Sequence, residues 1–277
     1  MKRNFIFVSL FVLLIFGMVG CTTGGAKLND GVYTAYWPTV PYTMRTILVV
    51  NKGIVTDCEM EEFHNPAFWA SLTADEVAKM DPAIYKEITA NGRTSYFGKY
   101  VTIGTGSEAM KWVASENPID NGLGTLQFIY SSSQSNNFTD WLRDENNAAW
   151  YDKQLSDANY WVTDANGTPF QDLATYTVTF RTGTVIPKNR ARYKTQNRHW
   201  TAIGTGFGTE SGPLGWLGNM EEISKFVVKY QFPQGALSRD RESYIMVGDI
   251  VSGATLESGI SDYFPCAYKA YAKASKN

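Results

Sequence analysis

The stretch TILVVNKGIVTDCEME, residues 46–61, constrains the fold more than any other part of the chain. Two runs rich in β-branched residues flank Asn51-Lys52-Gly53, and Gly53 is free to take the positive φ of a hairpin turn. The second run alternates apolar and polar residues, as a strand with one buried face does. With DGVYTAYW ahead of it, residues 30–63 read as a β-meander, so the chain must build an antiparallel sheet.

Helical signals follow. Thr73 and Glu76 in LTADEV make a capping box, Asp81-Pro82 predicts a helix closed by Gly92, and SEAMKWVASEN, 107–117, predicts another. Residues 131–167 are rich in Asn, Ser and Asp. They hold an amphipathic helix candidate at about 138–157, with Trp141, Leu142, Trp150 and Leu155 near one face. This segment reads as a connection between a first half, 30–130, and a second, 168–277.

The second half echoes the first. TYTVTFRTGTVIPKNRARY, 175–193, repeats the strand, Gly turn and strand, and WTAIGTG, 200–206, echoes YVTIGTG, 100–106. The order of the landmarks suggests a duplicated β-rich unit, with a helical segment around 66–92 only in the first copy. Later come a short helix at GNMEEISK, strands at FVVKYQF, 226–232, and YIMVGDIV, 244–251, and a final helix capped by Ser261 or Asp262 with Pro265 in its first turn. The expected class is α+β: antiparallel sheets with helices packed on one side.

The N-terminus says where such a chain works. Lys2 and Arg3 precede FIFVSLFVLLIFGMVG, an apolar run that stops at Cys21 and the polar TTGG. Residues 1–20 read as a secretory signal. Gly20-Cys21 resembles the lipidation box of bacterial lipoproteins, with Met18 where Leu is more usual, and residues 21–29 would be a flexible tether. An ordinary signal peptide with a chance Cys, or an uncleaved anchor, are the other readings. Loss of Lys2 and Arg3 takes the formal net charge from −2 to −4, and a mildly acidic envelope protein is not built to neutralise nucleic-acid phosphates. Cys58 and Cys266 remain, either paired in an oxidising compartment or buried as unpaired small hydrophobes. With only His64 and His199 beside them, at unrelated spacings, no metal site is expected.

Near the C-terminus stands Asp249-Ile250-Val251-Ser252-Gly253-Ala254-Thr255-Leu256. Small neighbours leave the Thr255 hydroxyl reachable. Gly253 and Ala254 open backbone N–H groups to phosphate oxygens, and a helix starting near Thr255 adds a favourable dipole. A bland alternative is a tight strand-to-helix turn with Thr255 as N-cap.

The motif resembles the flavinylation motif of the FMN-binding domain family: an Asp, two further residues, Ser or Thr, then Gly, Ala and Thr. DGVYTAYW…ILVVNKGIVTDCEM is similar to that family's opening hairpin, and LESGISDYFPCAYKAYAKA stands where its members have a helix. The family includes periplasmic subunits of sodium-pumping and Rnf-type respiratory complexes and extracytoplasmic electron-transfer lipoproteins. The resemblance implies FMN held by a phosphoester to Thr255 and installed by a flavin transferase that recognises the pattern of Asp249, Ser252, Gly253 and Ala254, with Leu256 closing it. It also implies a redox donor and acceptor, or a membrane quinone-linked complex, as partners. Residues 65–170 carry no part of it, and a single motif implies a single covalent flavin.

Other stretches are less committed. IGTGFGTESGPLGWLG, 203–218, could bring backbone close to a flavin ring with Phe207 or Trp216 stacking on it, or be a surface loop. Arg181, Lys188, Arg190, Arg192, Lys194 and Arg198 could meet an acidic partner, the flavin phosphate or an anionic membrane, or be a solvated face. No nucleophile–base arrangement stands out, so no catalytic residue is assigned. The expected protein is a lipid-anchored, extracytoplasmic electron-transfer flavoprotein. The competing readings are a non-redox solute- or partner-binding lipoprotein and a self-contained flavin reductase.

Overall fold

Lys52 and Gly53 both take positive φ, 55° and 78°, and Asn51 pairs directly with Ile54. This is the two-residue mirror-image turn whose twist matches that of the flanking strands. Its strands belong to a computed structural model that describes residues 28–40, 42–90, 92–120, 126–170, 177–179, 185–187, 215–232, 237–239, 245–247, 250–251 and 260–275.

Three strands open the chain: β1 (Gly31–Pro38), β2 (Tyr42–Asn51) and β3 (Ile54–His64). They form one antiparallel sheet in the order β1-β2-β3. Then come α1 (Pro66–Trp69), β4 (Ser71–Leu72), α2 (Ala74–Val77), β5 (Tyr85–Ala90) and β6 (Arg93–Gly98). β7 (Tyr100–Ile103), β8 (Met110–Ala114), β9 (Ile119–Asp120), β10 (Leu126–Gln127) and β11 (Tyr130–Ser131) follow. Next are α3 (Phe138–Trp141), α4 (Glu145–Ser156), β12 (Tyr160–Thr163), β13 (Thr177–Thr179) and β14 (Val185–Pro187). The chain continues with α5 (Gly215–Tyr230), β15 (Leu237–Arg239), β16 (Ile245–Val247), β17 (Ile250–Val251) and α6 (Ile260–Ala274). Every strand pair among the described residues is antiparallel, so the α+β class holds.

The opening sheet buries residues on both faces. On one, Ala35, Met44, Leu48, Cys58 and Met60 meet Ile223, Phe226 and Val227 of α5 and Phe264, Cys266, Ala267 and Ala270 of α6. On the other, Tyr36 and Phe63 enter a second core with Trp69, Trp112, Phe138, Leu142, Tyr151 and Tyr160. Polar tips in that core are satisfied across elements. Trp69 Nε1 donates to the Tyr151 hydroxyl (2.9 Å), which donates to the His64 carbonyl (2.6 Å). Arg45 ties the sheet to α4 by pairing with Asp152 (3.0 Å) and Glu61, and the Tyr36 hydroxyl donates to the same Asp152 carboxylate (2.9 Å).

Several elements differ from the sequence reading. Residues 107–117, expected to be helical, contain β8, because Trp112 turns fully inward while pairs form with β7 on one side and β11 on the other. The helix expected to end at Gly92 is a single 3₁₀ turn, Pro82–Ile84, capped by Asp81. Beyond it β5 and β6 form a hairpin, in which the positive φ of Gly92 (71°) makes a turn rather than a helix end. Of the strand expected at 226–232, residues 226–230 are the end of α5. There Met220, Ile223, Phe226 and Val227 bury at helical spacing. Pro265 lies inside α6 rather than in its first turn, since the helix begins at Ile260.

Other features agree. The Thr73–Glu76 capping box forms in both directions. The candidate helix at about 138–157 is present as α3 and α4, with Leu142 and Leu155 buried and Trp141 and Trp150 half-buried. The stretch expected to join two halves adds β12 to the β11-β8-β7-β12 sheet and Phe138, Leu142 and Tyr151 to the second core. β13 and β14 pair as the hairpin expected within 175–193. Of the two readings open for the thiols, the unpaired one is observed: Cys58 and Cys266 are free and buried.

Burial pushes the Cys58 thiol up to about 12 and that of Cys266 to about 11, so neither forms thiolate near neutrality. With Cys21 replaced by Ser, a disulfide-exchange reagent at pH 8 should therefore label no thiol in the folded protein and two per chain in denaturant. Labelling of the native protein at a free-thiol rate would contradict the burial.

Candidate functional site

Of the motif expected to carry chemistry, Ile250 and Val251 form β17, and α6 begins at Ile260, beyond its end. Asp249, Ser252, Gly253, Ala254, Thr255 and Leu256 lie outside the described residues, as do Cys21, Phe207, His199, Arg181, Lys188, Arg190, Arg192, Lys194 and Arg198. Trp216 is in the first turn of α5.

The frame that receives these segments is well defined. α5 and α6 run parallel: Phe226 meets Phe264 (5.8 Å between centroids), and further along Phe232 meets Tyr268 and Tyr271 (5.3 and 4.5 Å). The end of α5 is fixed at the start of β3, where the Gln231 amide accepts from Val55 N–H and donates to Val55 C=O (2.8 Å each). The end of α6 is fixed at the start of β1, where Ala274 C=O accepts from Asn29 N–H (2.9 Å). Both helices therefore begin at the opposite end of the sheet, where β1 finishes, β2 starts and β3 finishes. Two aligned helix N-termini direct N–H groups that lack an intrahelical partner, and positive dipole ends, the same way.

Buried polar side chains gather at that same end. The hydroxyl of Tyr263, in the first turn of α6, donates to the Glu62 carboxyl on β3, and both residues are buried. His64 shares the helix-side face of β3, its ring stacked on Phe68 (3.9 Å) and tilted against Tyr42 (6.5 Å). Asn219 of α5 is fully buried. A cleft bounded by Val40, Asn65, Phe128, Tyr130 and Thr139 is closed by its own bonds: Asn65 Nδ2 donates to Thr39 C=O (2.7 Å) and the Thr43 hydroxyl donates to Asn65 (3.0 Å).

Lysines seat the rest of α6. Lys269 donates to the Tyr36 carbonyl (3.2 Å) and pairs with Glu145 of α4 (2.9 Å). Lys273 donates to the Thr34 carbonyl and pairs with the other Glu145 oxygen. They occupy carbonyls that β1 leaves open along its outer edge, which blunts an edge that could otherwise pair with another chain. Burial pushes the Glu145 carboxyl up, but bonds from Lys273 and Lys269 outweigh it and hold it below the usual range.

Sequence reasoning identified neither Glu62 nor Tyr263. A signal existed: Glu62 continues the inward column of Cys58 and Met60, where a carboxyl is out of place. The Arg45–Asp152–Tyr36 network had none, since Asp152 lies more than a hundred positions from both Tyr36 and Arg45. Among the described residues no group of His, Cys, Asp and Glu could hold a metal ion. Comparison with protein-family models, with curated proteins and with solved structures finds no significant match.

Two outcomes follow from this frame. Tyr263→Phe, which removes a buried donor from Glu62, should destabilise the fold by about 1–3 kcal/mol in urea unfolding. Glu145→Gln should cost no more than about 1 kcal/mol at pH 7, because its carboxyl is partly exposed. Glu145 has a lowered folded-state pKa. The wild-type advantage should thus be full above the unfolded value of about 4.3 and fade as pH falls through the folded value. An advantage that grew on acidification would contradict the pairing.

Proposed function

We propose that this protein is a lipid-anchored extracytoplasmic electron carrier with FMN attached through a phosphoester to Thr255. The observation that supports the reading is the sequence Asp249 to Thr255, whose Ile250 and Val251 form β17 and which precedes the long helix α6 in the chain. Thr255 precedes the α6 N-terminus by five residues, and α5 adds a second N-terminus at the same end of the sheet. Such an end suits a phosphate, because unpaired N–H groups and helix dipoles favour negative charge there.

FMN would supply the redox chemistry, accepting and releasing electrons. The chain's own part is to present the Thr255 hydroxyl to a flavin transferase, to seat the phosphate, and to hold the ring where donor and acceptor proteins or a quinone-linked complex can reach it. Asp249, Ser252, Gly253 and Ala254 form the pattern the transferase reads, and Leu256 closes the stretch beside the cofactor. Lipid on Cys21 would hold the carrier at the bacterial membrane surface. The reading includes an FMN-binding-domain-like architecture with two related halves, supported by the β13–β14 hairpin in the second half and by the opening meander in the first.

Co-expression with a flavin transferase tests this. Wild type should give a fluorescent flavin band on a denaturing gel, and Thr255→Ala should give none while keeping its unfolding midpoint. A band of equal strength in Thr255→Ala would refute the attachment site. No band in either, with a transferase that loads a known acceptor, would leave a solute- or partner-binding lipoprotein.

A further inference from the structure

Of the four residues of α1, Pro66, Ala67 and Trp69 are buried, whereas the Phe68 ring is 40% exposed. Its orientation is set by its neighbours. The ring stacks on His64, with centroids 3.9 Å apart and planes 27° from parallel. His64 is in turn tilted against Tyr42 (6.5 Å), its partner in the β2–β3 register. Because His64 is buried and Tyr42 half-buried, they back Phe68 as a fixed wall. These contacts join rings from β2, β3 and α1 into one group, at the end of the sheet where α5 and α6 begin.

The first turn of α6 lies close to this group. Tyr263 bonds to Glu62, and Glu62 and His64 are alternate residues on one face of β3, about 7 Å apart. Thr255 precedes Ile260 by five residues, a span of about 17 Å at most when fully extended. A flavin held by its phosphate at Thr255 extends its ring past the hydroxyl by the length of the ribityl chain, so Phe68 is within reach. A phenyl ring offers no polar atom. What it offers is a π face, on which a conjugated three-ring system stacks in an offset arrangement.

We propose that Phe68, backed by His64 and Tyr42, is the stacking platform for the conjugated ring of the cofactor carried at Thr255. The proposal rests on the flavin reading above for the identity of that ring. Stacking on Phe68 covers part of one face of the ring and leaves the rest open to partner proteins. It also orients the ring without an induced change, because the phenyl group is already fixed against a buried imidazole.

An indole in contact with a flavin quenches its emission by donating an electron to the excited ring, so Phe68→Trp reports the contact directly. The full chain is loaded by co-expression with a flavin transferase as wild type, Phe68→Trp, Phe68→Leu and Val32→Trp. The last places an indole at an exposed position near the opposite end of the sheet. Bound flavin is counted from the denatured gel band, and emission of the folded protein is expressed per bound flavin. Expected are emission about fivefold dimmer in Phe68→Trp, no change in Val32→Trp, and quenching by iodide about threefold steeper in Phe68→Leu, whose ring has lost its cover. Wild-type emission in Phe68→Trp together with wild-type iodide quenching in Phe68→Leu would overturn the platform and leave attachment at Thr255 intact. Absence of a gel band from the wild type would refute the attachment, and the platform with it.

Discussion

The seat of the last helix on the first sheet is the contact on which the rest of the structure depends. α6 lays Phe264, Cys266, Ala267 and Ala270 over Ala35, Met44 and Leu48, and small residues let it approach closely enough for Cys266 Sγ to lie 3.5 Å from the Ala35 carbonyl. Lys269 and Lys273 then reach past the sheet edge to Glu145 on the far side. One helix thereby closes the N-terminal core, covers an open strand edge and pins the second core to the sheet.

That arrangement separates two tasks along one sheet. At one end, parallel helices begin and buried polar groups gather around Glu62 and Tyr263. At the other, Leu28 is buried beneath the Lys52–Gly53 turn, and Val32, Ile54 and Tyr230 are exposed. The second core, on the sheet's opposite face, gives the sheet a rigid backing through Arg45, Asp152 and Tyr36.

Much of the sheet was legible because its signals are local. The hairpin at Lys52–Gly53 and the Thr73–Glu76 capping box depend on residues within a few positions of one another, and both form as read. Two of the misread elements failed for one reason. MKWVA and FVVKY both mix apolar and charged residues with no period clear enough to decide. Two strand neighbours made the first a strand, and the apolar face of the opening sheet made the second a helix. Gly92 was read as a helix end, yet the same positive φ serves a hairpin turn.

By itself the sequence determined an antiparallel meander at the start and a helix at the end. Those are properties of neighbouring residues, set by turn geometry, side-chain alternation and small-residue spacing. Only the tertiary structure decided that the last helix lies on the first sheet, that Glu62 is buried against Tyr263, and that Val32, Ile54 and Tyr230 share one end. Each of these joins residues far apart in the chain, and what brings them together is the burial of two apolar faces of a single three-stranded sheet.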